Sequence, residues 1–228
     1  VLAELAVKWF APQKEGNFCF DPFAGDTVFG FVAAHLKNYF LGVELREEQA
    51  KLNNARLLGM RGRYVCDDGQ NITQHVETGT QDLLFSCPPY YDLEVYSDLP
   101  NDASNQPTYE AFLGILENAF IGAMDCLKEN RFAVIVCGDV RDNKQGAYYR
   151  FPDDIKNIFT RNGMILYNEL ILVEALGTLP QRVGRFMQNR KIGKCHQNVL
   201  VFYKGDTSQI KKEFINLSEN ADYGSENE

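Results

Sequence analysis

Residues 132–140 read Phe-Ala-Val-Ile-Val-Cys-Gly-Asp-Val, a run almost without polar side chains. Such a strand has to be buried on both faces, and helices packed on both sides of a parallel sheet provide that burial. The remaining sequence has the matching rhythm. Strands are predicted at 17–23, 39–45, 63–66, 83–86, 164–173 and 198–203. Helices are predicted at 1–10, 27–36, 46–58, 108–129 and 152–160. The 108–129 helix places Leu113, Leu116, Phe120, Met124 and Leu127 at spacings of three and four. Strands alternating with helices predict an α/β fold with a doubly wound, mostly parallel seven-stranded sheet of Rossmann-like type. The last two strands have no full helix between them, which predicts an antiparallel pair at one edge. From Gly205 onward the chain turns polar and acidic, and residues 206–228 are expected to be a frayed tail.

With 228 residues, 45% hydrophobic and 24% charged, the chain suits one large domain. No apolar run approaches the ~20 residues of a membrane span. The chain opens Val-Leu-Ala-Glu-Leu, with no secretory signal and no initiator Met, so it reads as a domain of a longer protein. Its six cysteines include no Cys-x-x-Cys pair. Neither a metal nor a disulfide framework is indicated, and reduced thiols in a cytoplasmic protein are expected. A net charge of −8 argues against a generally basic nucleic-acid binder.

The chemistry concentrates at 82–91, Asp-Leu-Leu-Phe-Ser-Cys-Pro-Pro-Tyr-Tyr. Leu83 to Ser86 form a short apolar strand that Cys87, Pro88 and Pro89 end abruptly, because proline lacks an N–H and fixes φ. The proline carbonyls remain as rigid acceptors, and the rings of Tyr90 and Tyr91 follow at once. Fixed acceptors beside a flat apolar face suit a planar base with an exocyclic amino group. Three further strand ends carry groups for an adenosine-type ligand, at the edge where open parallel sheets bind ligands. Asp21-Pro22-Phe23-Ala24-Gly25 pairs an acid suited to an ammonium with a glycine that admits a ligand close to the backbone. Glu44, with Leu45 beside it, can accept from ribose hydroxyls. Asp67 and Asp68 stand where an adenine amino group could donate. There is no Gly-x-Gly-x-x-Gly and no phosphate-binding Gly-x-x-x-x-Gly-Lys-Ser/Thr, so a sulfonium nucleoside, S-adenosylmethionine, fits better than NAD or ATP.

Taken together, these blocks resemble the amino-group DNA methyltransferases, which make N6-methyladenine or N4-methylcytosine. Asp21-Pro22-Phe23-Ala24-Gly25 looks like their Asp-Pro-Phe-x-Gly block, and Gly42-Val43-Glu44 like their Gly-Ile-Glu. Asp68 matches their acid after the third strand better than Asp67 does. Cys87-Pro88-Pro89-Tyr90 stands in the place of their Asp/Asn/Ser-Pro-Pro-Tyr. His196 to Lys204 resembles their His-Glu-x-x-Leu-x-Phe-x-Lys strand. The Ser86-Cys87-Pro88-Pro89-Tyr90 and Cys137-to-Asp142 blocks are similar to those of phage and prophage DNA modification methylases of the restriction-modification kind. The resemblance spans residues 1–205 as a methyltransferase catalytic domain, with 206–228 as its tail. Asp26-Thr27 replaces the family's second small residue in the glycine turn, and Cys87, a weak acceptor, replaces its Asp, Asn or Ser.

What the resemblance implies is direct methyl transfer to an amino group of a flipped-out base, with Ser86, Cys87, Pro88, Pro89 and Tyr90 at the reacting end and no metal. DNA is the expected partner. Arg182, Arg185, Arg190, Lys191 and Lys194 lie in an acid-free stretch, 180–194, which its two glycines make loop-like. This stretch is expected to meet phosphates, with His196 next to it. Residues 92–107 are expected to form a mobile lid. Alternatives are an RNA or small-molecule amino methyltransferase and an inactive cofactor-binding subunit. The oligomeric state is left open.

Overall fold

The structure, a computed structural model, describes residues 1–26, 28–91 and 93–217. It contains one seven-stranded sheet in the order β3-β2-β1-β4-β5-β7-β6. The strands are β1 (Phe18–Asp21), β2 (Tyr39–Glu44), β3 (Gly62–Cys66), β4 (Gln81–Ser86), β5 (Leu127–Cys137), β6 (Ile165–Val173) and β7 (His196–Lys204). β1 to β5 pair in parallel, whereas β7 runs antiparallel to both β5 and β6. The expected late antiparallel pair is therefore present, with β7 inserted inside the edge strand. The chain winds outward from β1 to β3, then returns to β4 beside β1. That reversal opens a crevice at the carboxyl ends of β1 and β4.

Helices α1 (Leu2–Phe10) and α2 (Phe29–His35) share one core layer with the sheet, while α5 (Tyr109–Cys126) and α6 (Phe151–Arg161) share the other. α3 (Glu47–Arg56) and α4 (Ile72–His75) complete the β2–β3 and β3–β4 connections. Alternate residues of the inner strands supply the two layers. On β5, Ala133, Ile135 and Cys137 face the α5–α6 layer, and Phe132, Val134 and Val136 face the other. All six are buried, as the run at 132–140 requires.

Three expectations differ from the structure. The helix predicted to reach residue 129 stops at Cys126, and β5 starts at once at Leu127. Pairing decides this: Leu127 faces Gln81 across β4, and the buried end of Lys204 donates to the carbonyls of Met124 and Leu127 at 2.8 and 2.7 Å. The expected basic loop is instead α7 (Leu179–Gln188) followed by a turn. Pro180 sits in its first turn, where no N–H is needed, and that start outweighs the ~1 kcal/mol that Gly184 costs mid-helix. Lastly, residues 206–217 are not frayed. Asp206 caps a turn at Thr207–Gln209, α8 (Ile210–Glu213) follows, and Phe214 packs on Phe132 at 5.1 Å. Arg131 ties Glu213 at 2.9 Å. The rest of the expected tail, 218–228, lies outside the described residues. Among the described residues, no helix is long and apolar enough to cross a membrane, and no cluster of His, Cys, Asp and Glu could hold a metal.

Candidate active site

A cavity of about 340 Å³ occupies the crevice at the strand ends. Four connections build its walls. After β1, Phe23 and Gly25 line it; Gly25 has φ +48°, a left-handed conformation that suits glycine. After β2 come Glu44 and Leu45, with Arg46. After β3 come Asp68 and Gly69. After β4, Cys87, Pro88, Pro89 and Tyr90 line it in sequence. Gly69 is needed for close approach: a Cβ there would lie 2.4 Å from the Pro22 carbonyl oxygen.

The carboxylates differ in state. Glu44 is buried, and its Oε1 accepts from the Arg46 N–H at 2.9 Å and from the guanidinium at 3.3 Å. Asp68 caps the short turn Gly69–Asn71, accepting from the Gln70 N–H at 2.9 Å, and its other oxygen accepts from Asn101 at 2.8 Å. Asp67 does not line the cavity. It is held by Asn71 at 2.9 Å and His75 at 2.6 Å, and these partners keep its carboxyl below the usual range. Asp21, Pro22 and Ala24 also lie behind the lining. Asp21 is fully buried; Oδ1 accepts from the Phe23 N–H at 2.9 Å, and Oδ2 has no partner. Burial pushes its pKa up to about 7, against the opposing pull of the Ser86 hydroxyl and the Phe23 N–H, with the Glu44 charge adding to the rise. Ser86 sits near this carboxyl without reaching hydrogen-bond geometry, so its hydroxyl is unpartnered too.

Along β4 the pleat separates the two candidate acceptors, as strand alternation predicts. Ser86 is fully buried and off the cavity, while Cys87 is half-buried and lines it. Burial raises the Cys87 thiol to about 12, with Asp21 and Glu174 adding to the effect, so it keeps its proton at neutral pH. The Tyr90 ring meets Phe151 edge-on at 5.8 Å, and its hydroxyl is buried without a hydrogen-bond partner. Tyr91 leaves the cavity and joins Tyr109, Phe112 and Tyr149 in an aromatic cluster.

Sequence reasoning missed Arg46, Asn101 and Ile115 as lining residues. Asn101, with Tyr96, Asp102 and Ala103, belongs to the segment expected to be a lid. Asp92 in that segment is outside the described residues, as is Thr27 of the glycine turn. From residue 93 on the segment is well tied. Asp102 is buried and accepts from Ser97 and Ser104, Asn101 reaches Asp68, and Tyr96 lies under the Arg46 guanidinium at 5.8 Å. Pro-rich polar composition signals a connection, but not what it packs on. Ile115, deep in α5, carries no sequence signal for a site.

None of the basic residues of the 182–196 stretch lines the cavity. Arg182 and Arg185 are exposed on α7, and Arg190 follows in a left-handed turn. Lys191 packs against Gly146. Lys194 pairs with Asp139 and lies over the Tyr148 ring at 4.5 Å. His196 begins β7, opposite Val173.

No protein-family model matches the chain. No curated protein matches it by sequence. Solved structures do. The chain is similar to a geranyl diphosphate methyltransferase in complex with GPP and sinefungin (TM-score 0.60, 15% identity, covering 89% of this chain and 76% of that one). It is similar to an S-adenosylmethionine-dependent methyltransferase from Methanosarcina mazei (0.55, 10% identity, 85% and 94% covered). A TehB-like methyltransferase from Corynebacterium glutamicum also matches (0.52, 18% identity, 84% and 82% covered). The fold is that of the Rossmann-like class I S-adenosylmethionine-dependent methyltransferases. At such identities the likeness concerns the fold, and the substrate has to be argued from the site.

Proposed function

We propose that the chain transfers a methyl group from S-adenosylmethionine to the exocyclic amino group of adenine or cytosine in DNA, acting on a base turned out of the duplex. The observation that carries this reading is the convergence of Glu44, Asp68 and Cys87-Pro88-Pro89-Tyr90 on one cavity. The donor set suits the cofactor. Glu44 accepts from ribose hydroxyls, and Asp68 keeps acceptor capacity for an adenine amino group beside its protein partners. Asp21 offers a buried oxygen that no group of the protein satisfies, and a nearby ammonium would favour its ionised form. Bound S-adenosylmethionine supplies a methyl group on a positively charged sulfur, which leaves as a neutral thioether.

The residues at the other end prepare the amino group. Its lone pair is delocalised into the base ring, so an acceptor at its hydrogens favours pyramidalisation and stabilises the developing charge. The Pro88 carbonyl is such an acceptor. Tyr90 gives the base a stacking face in place of its lost neighbours, worth ~1–3 kcal/mol. Cys87 keeps its proton and takes no part as a nucleophile. Exposed Arg182 and Arg185 on α7 contact phosphates despite the overall negative charge.

The test is chemical. Duplex DNA incubated with protein and S-adenosylmethionine is digested to nucleosides and analysed by mass. N6-methyladenine or N4-methylcytosine is expected. Unmodified DNA, with methylated RNA or a methylated small amine in parallel reactions, would refute the DNA reading. The neutral thiol at Cys87 favours one second reading, a cofactor-binding subunit without turnover. It would appear as cofactor binding by calorimetry and no methylated product of any kind.

A further inference from the structure

The two oxygens of Asp68 are unequally used. Oδ1 accepts from the Gln70 N–H at 2.9 Å, while Oδ2 accepts from the Gln70 side chain at 3.1 Å and from Asn101 Nδ2 at 2.8 Å. An adenine amino group brings two hydrogens to such a spot. Asp68 Oδ1 can take one of them, and the other needs a second acceptor. The Asn101 amide carries one. A carboxylate only accepts, so the amide must turn its Nδ2 toward Asp68, which leaves Oδ1 on the far side. Asn101 is half-buried and lines the cavity, and among the described residues no group donates to its Oδ1.

The chain around Asn101 holds it still. Leu99-Pro100-Asn101-Asp102 is a β-turn: the Asp102 N–H donates to the Leu99 carbonyl at 3.0 Å, and proline stands at the second position, where its fixed φ fits. Behind the turn, the buried Asp102 carboxylate accepts from the Ser97 hydroxyl at 2.7 Å and from the N–H and hydroxyl of Ser104 at 2.8 and 2.6 Å. Gln106 Nε2 donates to the Pro100 and Asp102 carbonyls at 2.9 and 2.7 Å. Asp68 is clamped as well, because the Gln70 amide that binds it accepts in turn from Asn118 on α5 at 3.0 Å. Turn and carboxylate therefore meet as two fixed parts.

We infer that Asn101 is a second residue that reads the cofactor's adenine: locked by Asp68, its Oδ1 accepts one hydrogen of the 6-amino group while Asp68 accepts the other. Asp68 thus contacts the base and also orients its neighbour. This role rests on the reading of the cavity as the cofactor site, and is independent of what the methyl acceptor is. Two locked acceptors select against a base with an oxygen at that position, since hypoxanthine sets its own acceptor against both. A free amide could turn round and donate to such an oxygen; the carboxylate prevents it.

Calorimetry with two ligands tests the role without turnover. One is S-adenosylhomocysteine; the other is S-inosylhomocysteine, which has an oxygen in place of the 6-amino group. Wild type should prefer the first by roughly a hundredfold, the effect of leaving two acceptors unpaired. Asn101→Leu keeps the size of the side chain and removes the acceptor, so it should cut that preference about tenfold. Asp68→Asn should cut it at least as far, because an amide at 68 lets Asn101 turn. If Asn101 only fastened the turn, Asn101→Leu would weaken both ligands by the same factor and leave the preference at its wild-type value; that result would overturn the inference, as would a wild type without preference. Glu44→Ala is the control: the ribose it faces is common to both ligands, so both should weaken equally. A wild-type protein that binds neither ligand, or a Glu44→Ala protein that binds both as before, refutes the cavity as the cofactor site, and this role with it.

Discussion

Asp21→Asn should make the protein more stable in mild alkali while weakening its hold on the cofactor. The carboxyl is fully buried, with Oδ1 on the Phe23 N–H at 2.9 Å and Oδ2 unpartnered. Burial raises its pKa from 3.8 to about 7. Through this window the folded state holds a proton that the unfolded chain has lost. Stability from this group is therefore fully present below ~pH 4, falls as pH rises, and is gone above about pH 7. About three pH units at ~1.4 kcal/mol each give a loss of ~4 kcal/mol, an upper figure because the unpartnered oxygen can gain water when the site opens. Asparagine has the same shape and no charge; its oxygen can keep the Phe23 N–H. Urea unfolding at a series of pH values should show wild type and variant alike near ~pH 4, with the variant ahead by ~2–4 kcal/mol near ~pH 8. The difference between the two proteins isolates Asp21 from every other group, since those are common to both. Parallel pH profiles, or a variant less stable near ~pH 8, would refute the buried-charge argument. In calorimetry the same variant should bind S-adenosylmethionine ~1.5–3 kcal/mol more weakly, because an amide cannot meet an ammonium as a carboxylate does. Unaltered affinity would remove Asp21 from the cofactor site while leaving the stability argument standing. Stability gained where binding is lost is the usual exchange at a strained site.

Glu44→Ala should cost the cofactor about ten- to more than a hundredfold in affinity by calorimetry, and it also frees Arg46, so Glu44→Gln serves as the control that keeps the guanidinium's neighbour. Tyr90→Phe should melt no lower than wild type, since the hydroxyl it removes has no partner, and should keep most turnover; Tyr90→Ala should lose ~1–3 kcal/mol of base capture, and an Ala variant methylating at the wild-type rate would rule out stacking. Replacing Arg182, Arg185 and Lys191 together by Ala should flatten the log–log salt dependence of DNA binding, by about one unit of slope for each phosphate no longer neutralised. Lys194→Ala should change that slope less, because Lys194 is already paired with Asp139; equal effects would mean that the pair opens on DNA.

Much of the architecture is written in local pattern. The run at 132–140, the alternating strands and helices and the Cys87-Pro88-Pro89 break each depend on a few neighbouring residues, and burial leaves them few alternatives. Glu44, Asp68 and Gly25 are legible as cavity residues because each sits at or just past the carboxyl end of a parallel strand, and in a parallel sheet such ends gather at one edge. α7 is hard to see in sequence because Pro180, Gly184 and, just past the helix, Gly193 look like a loop unless the helical start at Pro180 is given its full weight.

Where long-range contacts decide, sequence is silent. The start of β5 at Leu127 follows from Lys204, remote in the chain, capping the carbonyls of Met124 and Leu127. Asp67 and Asp68 are adjacent and chemically equal, yet His75 and Asn71 claim one while the cavity receives the other. Asp21 is legible as an acid near a ligand, but not as one without a partner for Oδ2. Periodicity specifies which face of an element is buried; only packing brings residues a hundred apart within reach, and charge, burial and partner follow from that distance.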